Sequence, residues 1–377
     1  MMGLATNAGP LLSHSLSAAA CGCGSRNKFN NIVIDCPLQS YPHKINGRNF
    51  VTIQSSSSDA TVSLSSEENL LSFPLTEIKA TCKTWLWRGH TINYLVYPPA
   101  ATNSPSNPLL LVHGFGASVS HWRRNISTLS RSYTVFAVDL LGFGASDKPK
   151  GFEYSMEIWS QLILDFLDEI IRSPTVLIGN SLGSLACVIA AAESRQSLIR
   201  GIVLLNCAGG MNNKAIVSDW RIKLLMPFFL FIDFLLKQRG IASFIFDRVR
   251  QRDSIENVLK AVYGNKESVD EELVEIIAEP ANDEGALDAF ISIITGPPGP
   301  NPVELIPKIS LPVLVLWGDQ DPFTPLDGPV GKYFSLLPAQ KQNVSLFVLE
   351  GVGHCPHDDR PELVHARLLP WLAQLPV

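Results

Sequence analysis

The sequence contains a serine between two glycines, in Gly179-Asn180-Ser181-Leu182-Gly183. A short apolar run, Thr175 to Ile178, precedes it, and an alanine-rich stretch that begins at Leu182 follows it. A strand, a sharp turn and a helix in this order expose a serine hydroxyl, and the glycines avoid clashes in the turn. The pattern predicts that Ser181 is a nucleophile.

A serine hydroxyl is unreactive at neutral pH without a neighbouring base, and a carboxylate usually orients that base. In proteins with this serine turn, the order along the chain is serine, acid, histidine. His354 follows a predicted strand in Gly351-Val352-Gly353-His354, and we predict that it is the general base. Asp319 and Asp321, which follow the preceding strand, are the two candidates for the acid.

Other titratable residues near these motifs have competing interpretations. His357 is the rival histidine, and the alternative for it is a position on a surface loop. His354 and Asp359 form an H-x4-D spacing that is found in some acyltransferases but arises easily beside a histidine of this kind. We interpret Asp139 and Asp147 as structural residues of a loop at the carboxyl edge of the sheet.

The oxyanion that forms when a serine attacks a carbonyl carbon needs hydrogen-bond donors. We assign one donor to the backbone N–H of Leu182, because the helix that starts there adds the positive end of its dipole. We assign the second to Phe115, in the loop His113-Gly114-Phe115-Gly116. The side chain of His113 is expected to brace this loop and to transfer no proton.

The segments between these motifs alternate between two patterns. Continuous runs of valine, isoleucine and leucine are typical of strands buried on both faces, and helical segments between them indicate a mostly parallel sheet with helices on both sides. The predicted strands are 81–88, 90–97, 108–112, 133–140, 175–178, 201–206, 313–317 and 344–350. The predicted helices are 155–172, 182–194 and 361–375.

Residues 210–297 interrupt this alternation. The segment has several helical patterns and no strand candidate, and a proline- and glycine-rich stretch, 297–302, ends it. An insertion of this kind lies near the strand ends, where ligands bind. We predict an α/β fold with a core of residues 76–209 and 298–377 and an inserted helical lid at 210–297.

The N-terminal residues differ in composition from the rest of the chain. Residues 1–66 contain twelve serines, four basic residues and two acidic ones, and residues 1–34 contain no aspartate or glutamate. This composition is typical of an organellar transit peptide, whereas the apolar patches are too short for a secretory signal. We predict that residues 1–75 are a transit peptide and disordered leader; a plain disordered tail is the alternative.

The overall composition argues against several classes of protein. A hydrophobic fraction of 46% suffices for a sizeable core, and a net charge of −5 gives no reason to expect nucleic acid as a partner. The seven cysteines show neither a zinc-site spacing nor a disulfide framework, and no run of 18 apolar residues predicts a transmembrane helix. We predict no metal and no organic cofactor.

Five motifs, in this order along residues 80–377, resemble the α/β-hydrolase superfamily. They are H-G-F-G at 113–116, D-L-L-G-F-G-A-S at 139–146, G-N-S-L-G at 179–183, W-G-D-Q-D-P at 317–322 and G-V-G-H at 351–354. The resemblance implies a serine hydrolase in which Ser181, His354 and an acid act together. We choose Asp321 over Asp319 because G-x-x-D is the spacing of the acid in related enzymes.

Within this superfamily, the chain is similar to the plant chloroplast dephytylases, the group of chlorophyll dephytylases and pheophytinases. The resemblance implies hydrolysis of the ester between phytol and a porphyrin, from chlorophyll to chlorophyllide and phytol, at the thylakoid membrane of the chloroplast. Pheophytinase-like sequences commonly have glycine at the position of Ser184, and this departure leaves the choice between chlorophyll and pheophytin open.

The lid segment suits a hydrophobic small-molecule substrate. Residues 222–246 are rich in phenylalanine, leucine and isoleucine and have basic flanks, which suits burial of a hydrocarbon chain or contact with a lipid surface. An ordinary lid helix packed on the core is the alternative. We predict substrate contacts at Trp122, Asn180, Phe228 and Phe231; for Trp122, packing in the core is the alternative.

Two further functions are compatible with the sequence. A serine C–C bond hydrolase acting on vinylogous diketones shares the pattern G-N-S-x-G. A small-molecule receptor could keep the three residues and signal through closure of the lid, although a long apolar lid argues against a small polar hormone as the ligand.

Overall fold

The computed structural model describes residues 72–100, 107–193, 198–212 and 231–375. These residues form one sheet whose strands are β1 Cys82–Trp87, β2 His90–Tyr97, β3 Pro108–Val112, β4 Thr134–Val138, β5 Thr175–Asn180, β6 Ile199–Leu205, β7 Val313–Gly318 and β8 Val344–Leu349. The strand order is β1-β2-β4-β3-β5-β6-β7-β8. Strand β2 is antiparallel to both its neighbours, and all other pairs are parallel. The predicted mostly parallel sheet is confirmed.

Helices precede, connect and follow the strands. They are α1 Leu75–Thr81, α2 Ile126–Leu129, α3 Met156–Phe166, α4 Leu182–Glu193, α5 Arg239–Val249, α6 Arg252–Val262, α7 Glu271–Ala278, α8 Ala286–Thr295, α9 Pro302–Leu305, α10 Pro329–Gln340, α11 Pro356–Asp359 and α12 Pro361–Gln374. Residues 231–236 are also helical. The predicted helix 155–172 is α3 followed by one wider turn, Leu167–Ile171, which ends where Arg172 adopts a left-handed conformation.

The sheet separates two apolar cores. In β3, Leu110 and Val112 pack into one core, and Leu109 and Leu111 pack into the other. Helices α3, α4 and α10 contribute to the first core, and α1 and α12 contribute to the second. Burial on both faces explains why these strands contain continuous apolar runs without polar alternation.

The described part of the predicted lid, residues 210–212 and 231–297, contains helices α5 to α8 and no strand. Helices α6 and α7 share a small apolar cluster, which includes Leu259, Leu273 and also Cys355 from the loop after β8. Among the described residues, no helix has the length and hydropathy needed to cross a membrane.

Residues 1–71 of the predicted leader lie outside the described residues. Phe73, just after them, is buried and donates its N–H to the Arg123 carbonyl (2.9 Å).

Adjacent leucines in α10 provide a test of this packing. Leu337 is 1% exposed and Leu336 is 60% exposed. We expect Leu337→Ala to lower the free energy of unfolding by about 2–5 kcal/mol, because it leaves a cavity beside the sheet. We expect Leu336→Ala to change it by less than about 0.5 kcal/mol. Urea titration followed by circular dichroism measures both, and similar losses in the two variants would contradict the assignment of the core.

Candidate active site

Ser181 lies in the turn between β5 and α4, with a φ of 51° that non-glycine residues rarely adopt. Its N–H donates to the Leu205 carbonyl (2.9 Å), and its own carbonyl accepts from the Ala208 N–H (3.1 Å). The end of β6 and the residues after it therefore hold the strained turn in place. Strain that neighbouring structure maintains in this way is typical of functional sites.

The two glycines of the motif are required by close backbone contacts. A Cβ atom on Gly183 would lie 2.3 Å from the Val112 carbonyl oxygen. A Cβ atom on Gly179 would lie 2.5 Å from the Gly183 carbonyl carbon. Any side chain at either position would displace backbone, so the pattern around Ser181 follows from steric exclusion.

Three side chains meet at the carboxyl edge of the sheet. The Oγ atom of Ser181 lies 2.8 Å from Nε2 of His354, and Nδ1 of His354 lies 2.7 Å from Oδ2 of Asp321. These residues follow the parallel strands β5, β8 and β7, whose carboxyl ends lie at the same edge. In this arrangement an imidazole can take the hydroxyl proton while the carboxylate fixes its tautomer and stabilises the imidazolium.

Asp321 accepts hydrogen bonds at both carboxylate oxygens. Oδ1 accepts from the N–H groups of Phe323 (2.7 Å) and Thr324 (3.1 Å). Oδ2 also accepts from Thr324 Oγ1 (2.5 Å) and Asn206 Nδ2 (2.6 Å). Burial alone would raise the pKa of Asp321, but the hydrogen bonds from His354, Thr324 and Asn206 outweigh it and lower the pKa to about 2. The carboxylate is therefore ionised at neutral pH.

Sequence reasoning assigned no role to Asn206, which directly follows β6. It is fully buried, its amide donates to Asp321, and its Oδ1 accepts from the Gly318 N–H (3.0 Å). It thereby fixes Asp321 relative to the end of β7. The available signal was its position, a polar residue at the carboxyl end of a buried strand, where ligand and catalytic groups collect.

The structure separates the two candidate acids. Asp319 accepts the Gly351 N–H at Oδ1 (2.8 Å) and so holds the start of the histidine loop, whereas Asp321 contacts His354 itself. Asp359 accepts the N–H groups of Gly353 (2.6 Å) and Gly264 (2.8 Å). The Asp359 carboxylate of the H-x4-D spacing therefore binds backbone N–H groups around the histidine loop.

His357 does not lie on a surface loop, and that alternative is wrong. It is 0% exposed, its Nε2 lies 3.3 Å from Nδ1 of His121, and its ring packs against Trp122 at 4.2 Å between centroids. Burial lowers the pKa of His357 well below its ordinary value. Trp122 is itself 1% exposed, so the structure gives it the packing role that the sequence left open.

The loop that follows β3 lies against Ser181. A Cβ atom on Gly114 would be 3.3 Å from Cβ of Ser181. His113 braces this loop: its Nδ1 donates to the Gly114 carbonyl (2.7 Å), and its Nε2 accepts the Leu140 N–H (3.0 Å). Phe115, whose N–H is the predicted second donor, follows Gly114 in this loop. Leu182 begins α4, so its N–H has no acceptor within the helix.

Asp139 and Asp147 accept hydrogen bonds from neighbouring backbone N–H groups, as expected for structural residues. Asp139 accepts the N–H groups of Val119 (2.6 Å) and Ala145 (2.8 Å), and Asp147 accepts that of Thr91 (2.7 Å). These bonds hold the loop after β4 to its neighbours.

The four predicted substrate contacts have different environments. Asn180 is buried, and its amide donates to the backbone carbonyls of His354 (3.0 Å) and Leu205 (3.2 Å), so it holds the histidine loop. Phe231 is exposed. Phe228 lies outside the described residues, and Trp122 packs against the His357 ring.

An apolar cavity of about 140 Å³ lies beside the Phe115 loop, beneath the lid helices. Its walls include Phe246, Val249, Ile255, Ile277, Phe290 and Ile293. A row of aromatic rings connects it to the core, with centroid distances of 5.1 Å from Phe246 to Phe290, 6.4 Å from Phe290 to Phe115 and 5.6 Å from Phe115 to Phe143. Sequence reasoning did not identify Phe246 or Phe290 as cavity residues.

The fold and the site place the chain in a known class. Residues 107–361 match the model of the α/β hydrolase fold family, and the chain belongs to it. Its membership and its relatives make it a hydrolase of the α/β-hydrolase type.

Three similarities are informative. The uncharacterised hydrolase YugF of Bacillus subtilis is 28% identical over 280 residues, which are 74% of this chain and 94% of that protein. Chloroplastic pheophytinase of Arabidopsis thaliana is 25% identical over 315 residues, 72% of this chain and 62% of that protein. A serine hydrolase involved in carbazole degradation, CarC, has a TM-score of 0.59 at 21% identity, covering 78% of this chain and 98% of CarC; this likeness shows the fold alone.

The two carboxylates after β7 should differ in their effect on activity. We expect Asp321→Asn to lower kcat on a p-nitrophenyl ester by ~10⁴-fold, because the imidazole loses its orienting carboxylate. Asp319→Asn, the matched control, should retain activity within about tenfold, because the amide oxygen of asparagine can still accept the Gly351 N–H and His354 keeps its carboxylate. A larger loss of activity in Asp319→Asn than in Asp321→Asn would assign Asp319 as the orienting acid instead.

The lowered pKa of Asp321 also makes stability depend on pH. A carboxylate with an ordinary pKa of 3.8 and a folded-state pKa of about 2 stabilises the folded state fully above pH 3.8, and this stabilisation is lost as the pH falls through about 2. We expect the free energy of unfolding to fall more steeply across this window in the wild type than in Asp321→Asn. Urea titrations at a series of pH values provide the comparison, and equal slopes would argue against the depressed pKa.

Proposed function

We propose that the protein is a serine hydrolase of carboxylic esters, with Ser181 as nucleophile, His354 as general base and Asp321 as the orienting acid. The observation that carries this proposal is the continuous set of contacts from Ser181 Oγ to His354 (2.8 Å) and from His354 to Asp321 (2.7 Å). The backbone N–H groups of Phe115 and Leu182 are proposed as the oxyanion hole.

The reaction proceeds in two halves. Ser181 Oγ attacks the ester carbonyl carbon while His354 takes the hydroxyl proton, and the N–H groups of the oxyanion hole bind the negative oxygen. The bond to the alcohol oxygen then breaks, and His354 returns the proton to the leaving alcohol. A water molecule next gives a proton to His354 and attacks the acyl-enzyme carbonyl; the bond to Ser181 Oγ breaks, and His354 returns the proton to Oγ as the acid leaves.

The proposed substrate is the phytol ester of chlorophyll, with pheophytin as the alternative ester. Similarity to chloroplastic pheophytinase supports a phytol ester, and the phenylalanine- and isoleucine-lined cavity supports an apolar group beside the reacting carbonyl. We also propose that residues 1–75 carry a chloroplast transit peptide and that the enzyme works at the thylakoid surface. The serine-rich, acid-poor composition and the chloroplastic relative support this location.

The lining of the cavity bears on the choice of substrate. Its apolar walls suit a hydrocarbon chain and also the apolar part of a compact dienoate. A serine C–C bond hydrolase is therefore the second candidate function.

Removal of the nucleophile tests the proposal. We expect Ser181→Ala to lower the release of phytol from chlorophyll or pheophytin by ~10⁶-fold, because no hydroxyl remains to form the acyl-enzyme. Chromatography of phytol-free products after incubation of the full chain with each pigment gives the measurement. Ser335→Ala, on α10 and remote from the site, is the control and should match the wild type.

The outcomes separate the candidate functions. Wild-type rates of phytol release by Ser181→Ala would end the proposed mechanism. Turnover of a ring-cleavage dienoate, without phytol release from either pigment, would establish the second candidate instead. Binding of a ligand without multiple turnover would indicate a receptor.

A further inference from the structure

Among the described residues, two exposed phenylalanine rings lie beside the proposed nucleophile and base. Phe115, in the loop against Ser181, is 44% exposed, and Phe323 is 60% exposed. Phe115 lines the apolar cavity beneath the lid helices, whereas Phe323 is not one of the residues that line it within the described part of the chain. The two rings therefore belong to different surfaces of the site.

The ring of Phe323 contacts the proposed general base. Its centroid lies 5.0 Å from that of the His354 ring, and the planes of the two rings are nearly perpendicular, at 89°. A single exposed apolar side chain needs no functional explanation by itself. This one, however, contacts the residue that exchanges a proton with the substrate, so it lies where the substrate has to be during the reaction.

The backbone around Phe323 is fixed without the help of its ring. The Phe323 N–H donates to Oδ1 of Asp321 (2.7 Å), and Thr324 donates to the same carboxylate through its N–H and its hydroxyl. The Thr324 carbonyl accepts from Nε1 of Trp317 (2.8 Å). A well-anchored backbone therefore holds the ring beside His354. A change of the Phe323 side chain leaves these hydrogen bonds, and with them the position of Asp321, intact.

The proposed reaction determines which part of the ester comes near this ring. When the tetrahedral intermediate collapses, the bond between the carbonyl carbon and the alcohol oxygen breaks. Its electron pair stays on that oxygen, which takes the proton from Nε2 of His354. This transfer needs the alcohol oxygen at about 3 Å from Nε2. The first carbons of the alcohol therefore lie beside the imidazole that Phe323 contacts, whereas the negative carbonyl oxygen points to the N–H groups of Phe115 and Leu182.

We propose that Phe323 is a specificity-determining residue that packs against the apolar part of the leaving alcohol. It favours esters of long-chain alcohols over esters of short ones, because the ring and the first carbons of the chain are removed from water together. The inference rests on the proposed function and names the part of the substrate that this residue recognises. A phenyl ring has no proton to exchange, so Phe323 acts on the choice of ester and not on proton transfer.

Two pairs of esters test this assignment on the full chain. Ethyl acetate and hexyl acetate differ only in the alcohol, and p-nitrophenyl acetate and p-nitrophenyl hexanoate differ only in the acid. We expect Phe323→Ser to lower kcat/KM for hexyl acetate by about tenfold relative to ethyl acetate, because an apolar contact with the alcohol is lost. The ratio of kcat/KM for the two p-nitrophenyl esters should stay as in the wild type. Titration of the released acid and absorbance of p-nitrophenolate provide the rates.

Two further variants complete the comparison. Phe323→Leu keeps an apolar side chain at this position and should retain most of the preference for hexyl acetate. Leu336→Ser changes an equally exposed residue, 60%, on α10 and is the matched control. It should leave both ratios as they are in the wild type. Circular dichroism confirms that each variant is folded.

The outcomes separate this inference from the proposed function. An equal loss on both acetates in Phe323→Ser would mean that the ring holds His354 in position, and it would overturn the inference. An unchanged preference for hexyl acetate, or a change in the ratio for the p-nitrophenyl esters instead, would also overturn it. Each of these results leaves the ester hydrolase in place. Absence of ester hydrolysis by the wild type would refute the proposed function and this inference together.

Discussion

Close backbone packing between glycines is the constraint on which the site depends. A Cβ atom on Gly318 would lie 2.3 Å from the Gly353 carbonyl oxygen, and one on Gly353 would lie 2.1 Å from the Val262 carbonyl oxygen. Because of these contacts, the histidine loop packs backbone against backbone with the end of β7 and with Val262. Hydrogen bonds of 2.7–2.8 Å from Ser181 through His354 to Asp321 tolerate little displacement, so loops that carried side chains at these points could not form them.

The same contacts join part of the predicted lid to the histidine loop. The His354 N–H donates to the Val262 carbonyl (2.8 Å), and Asp359 holds Gly264 and Gly353 together. Residues at the end of α6 are therefore structural components of the site. A lid movement that displaced Val262 would also displace His354, so any opening compatible with a preserved site has to leave this junction in place.

Much of this arrangement could be predicted because it follows from local patterns. Buried parallel strands require apolar runs, and the serine turn requires glycines at set positions. The sheet and the contact between Ser181 and His354 could therefore be predicted from the sequence. For Asn206, the position after β6 was a signal, but its role depends on Asp321, which is far away in sequence. Phe246 was missed for the same reason: the helical pattern of α5 is local, but Phe290 and Phe115 decide which side faces the cavity.

A hydrogen bond to a carboxylate distinguishes His354 from the other histidines of the site region. Burial lowers the pKa of His113, His357 and His121, the last to about 4, so these rings are neutral at neutral pH and serve as fixed donors and acceptors. Within the described residues, His354 is the histidine whose ring forms a hydrogen bond with a carboxylate. A carboxylate at Nδ1 stabilises the imidazolium that forms when Nε2 takes a proton. The fold thus combines a group of neutral structural imidazoles with one imidazole that lies between Ser181 and the Asp321 carboxylate.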